Sequence, residues 1–171
     1  NFKVKNKAMV SKSKAPCGSW KSPITSNLIT SSQIKLSDLS ISDDGIFWNE
    51  LRPQENGRSL IVKWYKNKKT DFLPSGFSAR SRVHEYGGGA FLIHKEVAFF
   101  SNEKDQHFYA AYPNGQTIDL THSDSRRYAN PIFDPYRNCI YAIEEDHQDK
   151  HAVINRLVKI DPEGKQPVEV V

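Results

Sequence analysis

From residue 34 to the end of the chain, short runs of aromatic and β-branched residues are cut by turn signals every 8 to 12 positions. Runs of this length and composition predict strands half buried in a sheet, so the fold class expected is all-β. The runs fall into three similar units. The first has strands over 34–41, 46–51, 59–65 and 70–73, with turns at Ser42-Asp43-Asp44-Gly45 and Asn67-Lys68 and a polar loop through Asn56-Gly57. The second has strands over 90–93, 97–101, 107–112 and 117–120, with turns at His94-Lys95 and Pro113-Asn114-Gly115. The third has strands over 129–133, 139–144, 155–160 and 167–171, with turns at Asp134-Pro135-Tyr136-Arg137 and Asp161-Pro162-Glu163-Gly164. Asp-Gly, Asn-Gly and Asp-Pro stand where a tight turn needs a positive or a fixed φ.

Four antiparallel strands in each 40 to 50 residues mark a propeller blade. A sandwich would give a similar strand count without this alignment of turns. The expectation is a partial β-propeller of about three four-stranded antiparallel blades, over 34–73, 80–121 and 126–171. Residues 1–14 are expected to be a basic disordered leader. Residues 15–33 are expected to be a lead-in segment with a short helical turn near 25–29. Three blades cannot close a ring, so an apolar face is expected at each end of the series. Those faces call either for further blades or for self-association.

Composition narrows the function classes. The 171 residues are 37% hydrophobic and 26% charged, too apolar for a disordered chain and without the long apolar run of a membrane span. The net charge of +4 suggests nucleic acid until it is located. Lys3, Lys5, Lys7, Lys12 and Lys14 lie in the first fourteen residues with no acid among them, and the remainder is close to neutral. The basicity belongs to a tail and not to a binding face, so no nucleic-acid partner and no membrane partner are expected. No secretory h-region follows the lysines. Cys17 and Cys139 are too few for a disulfide framework, although one bridge stays open on count alone. A reducing, cytoplasmic location is the expectation.

Several strings carry a resemblance. GSWKSPIT (18–25), RVHEYGGGAF (82–91), FFSNEKDQHFY (99–109) and RYANPIFDPYRNCIYAIEEDH (127–147) occur in that order. Together they resemble the N-terminal part of the β-propeller of prolyl oligopeptidase-family serine peptidases, in the dipeptidyl or acylaminoacyl peptidase-like branch. VHEYGGG is the most specific of them, and the resemblance spans roughly residues 15–165. It implies a propeller that gates access to an α/β-hydrolase domain bearing a Ser-Asp-His triad, with a peptide substrate. This sequence has no G-x-S-x-G nucleophile elbow and no β-α alternation to carry one. The expectation is therefore a fragment with no catalytic residue of its own. Its partners would be the parent's hydrolase domain and remaining blades.

Four residues are candidates for substrate contact. His84 and Glu85 precede three glycines, Gly87 to Gly89, whose missing side chains let backbones approach closely or free amides for an anion. The bland reading of His84 and Glu85 is a hydrogen-bonded pair fixing the start of the second blade. Glu144 and Glu145 resemble, by composition only, the glutamate pair that binds a substrate's free amine in dipeptide-releasing relatives. Adjacent strand residues face opposite ways, so both could reach one amine only where the strand has ended, and a solvated acidic loop is the bland reading. Relatives of this branch more often have Arg at the position of Glu144.

His147 and His151 stand four apart, but with Gln148 between them and no third ligand they predict no metal site. No cofactor is expected. Arg80, Arg82, Arg126 and Arg127 precede the second and third blades at matching positions. They line a rim for a carboxylate, or form inter-blade ion pairs with Asp124, Glu85 or Asp105. His94, His107 and His122 read as surface histidines, and Trp48, Trp64, Phe99 and Tyr141 as inter-blade core.

Overall fold

The structure, a computed structural model, describes residues 14–25, 33–149 and 151–171. The chain divides into two compact units, 1–31 and 32–171. In the first, the described residues form a turn in which Ser19 N–H donates to the Pro16 carbonyl. Residues 1–13 of the basic leader expected over 1–14, and residues 26–29 of the helical turn expected over 25–29, lie outside the described residues.

The described residues of the second unit form twelve strands in three four-stranded antiparallel sheets, each a simple meander. The first blade is β1 (Lys35–Ser42), β2 (Gly45–Arg52), β3 (Arg58–Tyr65) and β4 (Lys68–Asp71). The second is β5 (Phe91–His94), β6 (Val97–Ser101), β7 (Phe108–Ala111) and β8 (Thr117–Asp119). The third is β9 (Arg126–Asp134), β10 (Cys139–Asp146), β11 (Ile154–Ile160) and β12 (Glu169–Val170). Turn chemistry makes these meanders possible. Gly45 sits at φ +132°, and a Cβ there would lie 2.5 Å from the Trp64 carbonyl oxygen. Only glycine fits between β2 and β3 at that point.

Two apolar clusters join the blades. Phe47 and Ile61 of the first blade pack with Ala98, Phe100 and Ala111 of the second. Phe99, Phe108 and Ala110, on the other face of that middle sheet, pack with Ile140, Ala142, Val158 and Ile160 of the third. Strand alternation thus sends successive residues of β6 to opposite interfaces. The first strands of neighbouring blades approach one another, β1 to β5 and β5 to β9. There the glycines of the VHEYGGG string meet β9. A Cβ on Gly89 would stand 2.9 Å from Asn130 Oδ1, and one on Gly88 would stand 3.1 Å from the Ala129 methyl. Gly89 N–H donates to Asn130 Oδ1, and Asn130 N–H returns a bond to the Gly89 carbonyl, both at 2.7 Å.

Three sequence expectations need correction. The Glu144-Glu145-Asp146 run is not a solvated loop, because β10 continues through it and all three residues are buried. Trp64 and Tyr141 lie on the outer faces of the terminal blades rather than between blades, since their strands place them opposite the faces that meet the middle sheet. His107 is not a surface residue: its Nδ1 lies 2.6 Å from Asp119 and its Nε2 3.2 Å from Asp124. His94 stacks on Phe133 at 3.7 Å, across the second blade interface.

Candidate functional site

Three of the four candidate residues come together where the segment before β5 crosses the end of β10. His84 and Glu85 both adopt left-handed backbone, at φ 55° and 62°. Two non-glycine residues in that region in succession are strained by about 1 to 3 kcal/mol each and need bracing. The brace is local and long-range together. Glu85 N–H donates to the Arg82 carbonyl, Gly87 N–H donates to the Val83 carbonyl, and Val83 is fully buried beneath. From the third blade, buried Glu145 reaches across: its Oε1 accepts from His84 N–H at 2.7 Å and lies 2.9 Å from His84 Nδ1. Its other oxygen lies 3.0 Å from His147 Nε2. Arg127, Glu145's cross-strand partner on β9, donates to the Glu85 carboxylate at 2.6 Å and to the Arg82 carbonyl at 2.9 Å. Its guanidinium holds the Glu85 carboxyl below the usual range.

The result is a turn whose backbone is fixed from behind while its side chains look outward. His84 is half exposed, Glu85 and Tyr86 are exposed, and the His84 and Tyr86 rings lie 5.8 Å apart. Such a turn can offer an imidazole, a carboxylate and a phenol to a bound molecule without reorganising.

Glu144 does not join them. It points to the opposite sheet face, as alternation requires, into a buried network with Arg126, Arg156, Asp146 and Tyr128. Arg156 donates to Glu144 at 3.3 Å and to Asp146 at 2.8 Å. The Gln148 backbone N–H, followed by Arg156 and Arg126, lowers the Asp146 carboxyl. Burial, and next to it the Glu144 charge, raises the Tyr128 phenol. Tyr128 Oη, Arg126 Nε and Glu144 Oε2 are buried without a hydrogen bond to protein.

Of the four arginines, Arg82, Arg126 and Arg127 line one cleft of about 230 Å³ with Lys104, Gln106 and His147. Arg80 pairs with Glu103 instead. Only the Arg127–Glu85 pair, of the inter-blade ion pairs expected, is formed. Sequence reasoning missed Gln106, whose buried amide accepts from Arg82 N–H at 2.6 Å and donates to three backbone carbonyls. It also missed Arg156, whose place opposite Glu144 follows from strand register alone. His147 bonds Glu145, while the His151 backbone N–H bonds Asp149, so the two histidines do not share a site. Both cysteines are free thiols, Cys17 exposed and Cys139 buried. Among the described residues no helix is long and apolar enough to cross a membrane. Among them, too, no serine hydroxyl is hydrogen-bonded to a histidine ring.

No family model and no curated protein sequence matches the chain. Solved structures do. A Mycobacterium tuberculosis puromycin-hydrolyzing peptidase superposes with a TM-score of 0.80 at 27% identity, over 90% of this chain and 26% of its own. Puromycin hydrolase gives 0.77 at 26% identity over 90% of this chain, and a mutant of puromycin hydrolase complexed with PGG gives 0.76 at 26% over 88%. This chain spans about a quarter of each of those chains. Motifs and superposition agree: the chain is similar to a bladed portion of prolyl oligopeptidase-type serine peptidases.

Proposed function

We propose that these blades form part of the substrate-gating propeller of an oligopeptidase-type serine exopeptidase, dipeptidyl or acylaminoacyl peptidase-like, working in the cytoplasm. The superposition on puromycin-hydrolyzing peptidases over 90% of this chain carries the reading. In it, chemistry belongs to an α/β-hydrolase domain and the blades are not catalytic. A nucleophile needs a base within hydrogen-bond reach and an oxyanion hole. The blades instead position a peptide substrate. His84 and Glu85 are the contact residues. Glu145 acts through His84 by fixing its backbone and ring, and Glu144 holds the opposite face of the sheet with Arg156. The free thiols of Cys17 and Cys139 support the location.

The coding DNA that follows residue 171 tests this directly. It should encode further blades and a segment with G-x-S-x-G; a stop codon with neither nearby overturns the reading. Purified chain should not hydrolyse puromycin or a chromogenic dipeptide. Turnover that a serine-directed fluorophosphonate abolishes, and that labels this chain, would equally overturn it.

A second reading, a self-associating propeller module, is favoured by one observation. Ile41, Ile46 and Trp64 on the first blade, and Ile132 and Leu157 on the third, are exposed apolar residues on outward sheet faces.

A further inference from the structure

The cleft between the second and third blades holds more positive charge than the packing of those blades uses. Four segments wall it: the stretch before β5 with Arg82, the β6–β7 loop with Lys104 and Gln106, the β8–β9 connection running into Arg126 and Arg127, and His147 just past β10. All four belong to the junction of the second and third blades, away from the outward faces of the series.

The acids of the cleft are already engaged. Both Asp105 oxygens accept from the Asn102 amide, at 3.1 and 3.0 Å, and they also take the His107 N–H and the Tyr109 phenol. Asp124, fully exposed, lies 3.2 Å from His107 Nε2. Two of the cations are matched as well: Arg127 by Glu85 at 2.6 Å, and Arg126 by buried Glu144 and Asp146 at 3.5 and 3.8 Å. The Arg82 guanidinium and the Lys104 ammonium, both exposed, have no ion pair or hydrogen bond among the described residues. Arg80, two positions before Arg82, shows the alternative, since Glu103 neutralises it at 3.1 Å. Cations that only fastened blades together would be matched in that way.

The unmatched pair stands on a fixed backbone. Gln106, buried, accepts from the Arg82 N–H at 2.6 Å and donates to the Glu103 carbonyl, next to Lys104, at 3.0 Å. Arg127 donates to the Arg82 carbonyl at 2.9 Å, and the His147 N–H donates to the Ser125 carbonyl at 2.8 Å. Only two side chains are then left to order on binding, which keeps the entropic cost low. A guanidinium with a free ammonium beside it suits a carboxylate, whose two oxygens take the parallel N–H donors of the fork. The cleft, about 230 Å³, has room for an acidic side chain or a chain terminus. Arg127 joins it to the His84–Glu85 turn, because the Nη1 that holds the Arg82 carbonyl also holds Glu85.

We propose that this cleft binds a carboxylate of the peptide that the blades position, with Arg82 and Lys104 as the charges that select it. Peptides bearing an acidic side chain or a free C-terminus are thereby favoured over neutral ones. The inference rests on the substrate-positioning reading, and its test keeps the two apart.

The purified chain is titrated with acetyl-Ala-Glu-amide, acetyl-Ala-Ala with a free carboxylate, acetyl-Ala-Ala-amide and inorganic phosphate, followed by backbone amide NMR shifts. Either carboxylate peptide should move the Arg82, Gln106 and Arg127 amides with a Kd of about 1 to 10 mM, and the neutral amide should bind at least about tenfold more weakly. Arg82→Gln and Lys104→Gln should each weaken the carboxylate peptides about threefold to tenfold and leave the neutral amide unchanged. Both variants should keep the wild-type unfolding midpoint, since neither side chain is bonded. His84→Ala should weaken all three peptides by the same factor. A carboxylate preference indifferent to His84→Ala supports the cleft and overturns the contact role of the turn. Equal affinity for the neutral amide overturns the cleft, and if His84→Ala still weakens binding the turn keeps its role. Phosphate binding tighter than either peptide, affinities unchanged in both glutamine variants, or no shifts with any probe up to about 20 mM would each overturn the proposal.

Discussion

Replacing Glu145 by alanine removes the buried carboxylate that, beside Arg127, ties the left-handed turn at His84 and Glu85 to the third blade. The carboxylate is buried and faces three donor groups: His84 N–H, His84 Nδ1 and His147 Nε2. A hydrogen bond to a charged group is worth about 1.5 to 3 kcal/mol. Half of His84 is already in water and can recover part of its bonding there, so the loss should be about 3 kcal/mol in place of the full sum. With a urea slope of about 2 kcal/mol/M, that is a midpoint about 1.5 M lower. Unfolding followed by the fluorescence of Trp48 and Trp64 measures it. Trypsin cleavage after Arg82 should also quicken in native buffer, because the turn loses its backing. Glu145→Gln keeps an acceptor for His84 N–H and should lose about half as much. A midpoint within 0.3 M of wild type (about 0.6 kcal/mol at that slope), with Arg82 equally protected, would refute the claim that Glu145 positions the turn.

Three further outcomes follow from other contacts of the blades. Gly89→Ala puts a methyl 2.9 Å from Asn130 Oδ1, which both partners' backbones hold in place. It should cost about 1 to 3 kcal/mol in thermal or urea unfolding, and an unchanged stability would contradict the packing of the second blade on the third. Burial works against a charge on His107, but the carboxylates of Asp119, Asp105 and Asp124 outweigh it, so the ring titrates above its ordinary 6.5. Its contribution to stability is therefore full below pH 6.5 and is lost as pH rises through the raised value. His94 runs the other way: burial, with Lys95 beside it, lowers its pKa, so stability is lost there as pH falls below 6.5. The Tm difference between wild type and His107→Asn should be larger at pH 5.5 than at pH 8.5. The advantage of His94→Phe over wild type should likewise be larger at pH 5.5. Differences independent of pH would remove both assignments.

The strands were legible because their determinants are local. Alternation and turn residues such as Gly45, Asn67 and Gly115 act within a few positions, and a window of eight to twelve residues contains them. Repetition of the meander then gave the architecture, since only blades need the same turns at the same places three times. The acidic run at Glu144 to Asp146 was misread for the opposite reason. Three adjacent carboxylates look solvated until Arg126, Arg127 and Arg156 are placed opposite them, and that placement depends on β9 and β11 being in register with β10. Precise registers lie outside what a linear pattern states. The arginine pair at 126–127, matched with the arginine at 156, was the available signal. His107 shows the same limit: its partners Asp119 and Asp124 are far along the chain and only the β7–β8 pairing brings them near.

Methyl and aromatic NOEs test the blade series most directly. Ile61 of the first blade should show cross-peaks to Ala98 and Phe100, and Val158 of the third should show them to Phe108 and Ala110. Cross-peaks joining Ile61 to Ile140 or Val158 would mean that the first and third sheets face each other in a sandwich or barrel, and the propeller account would fall.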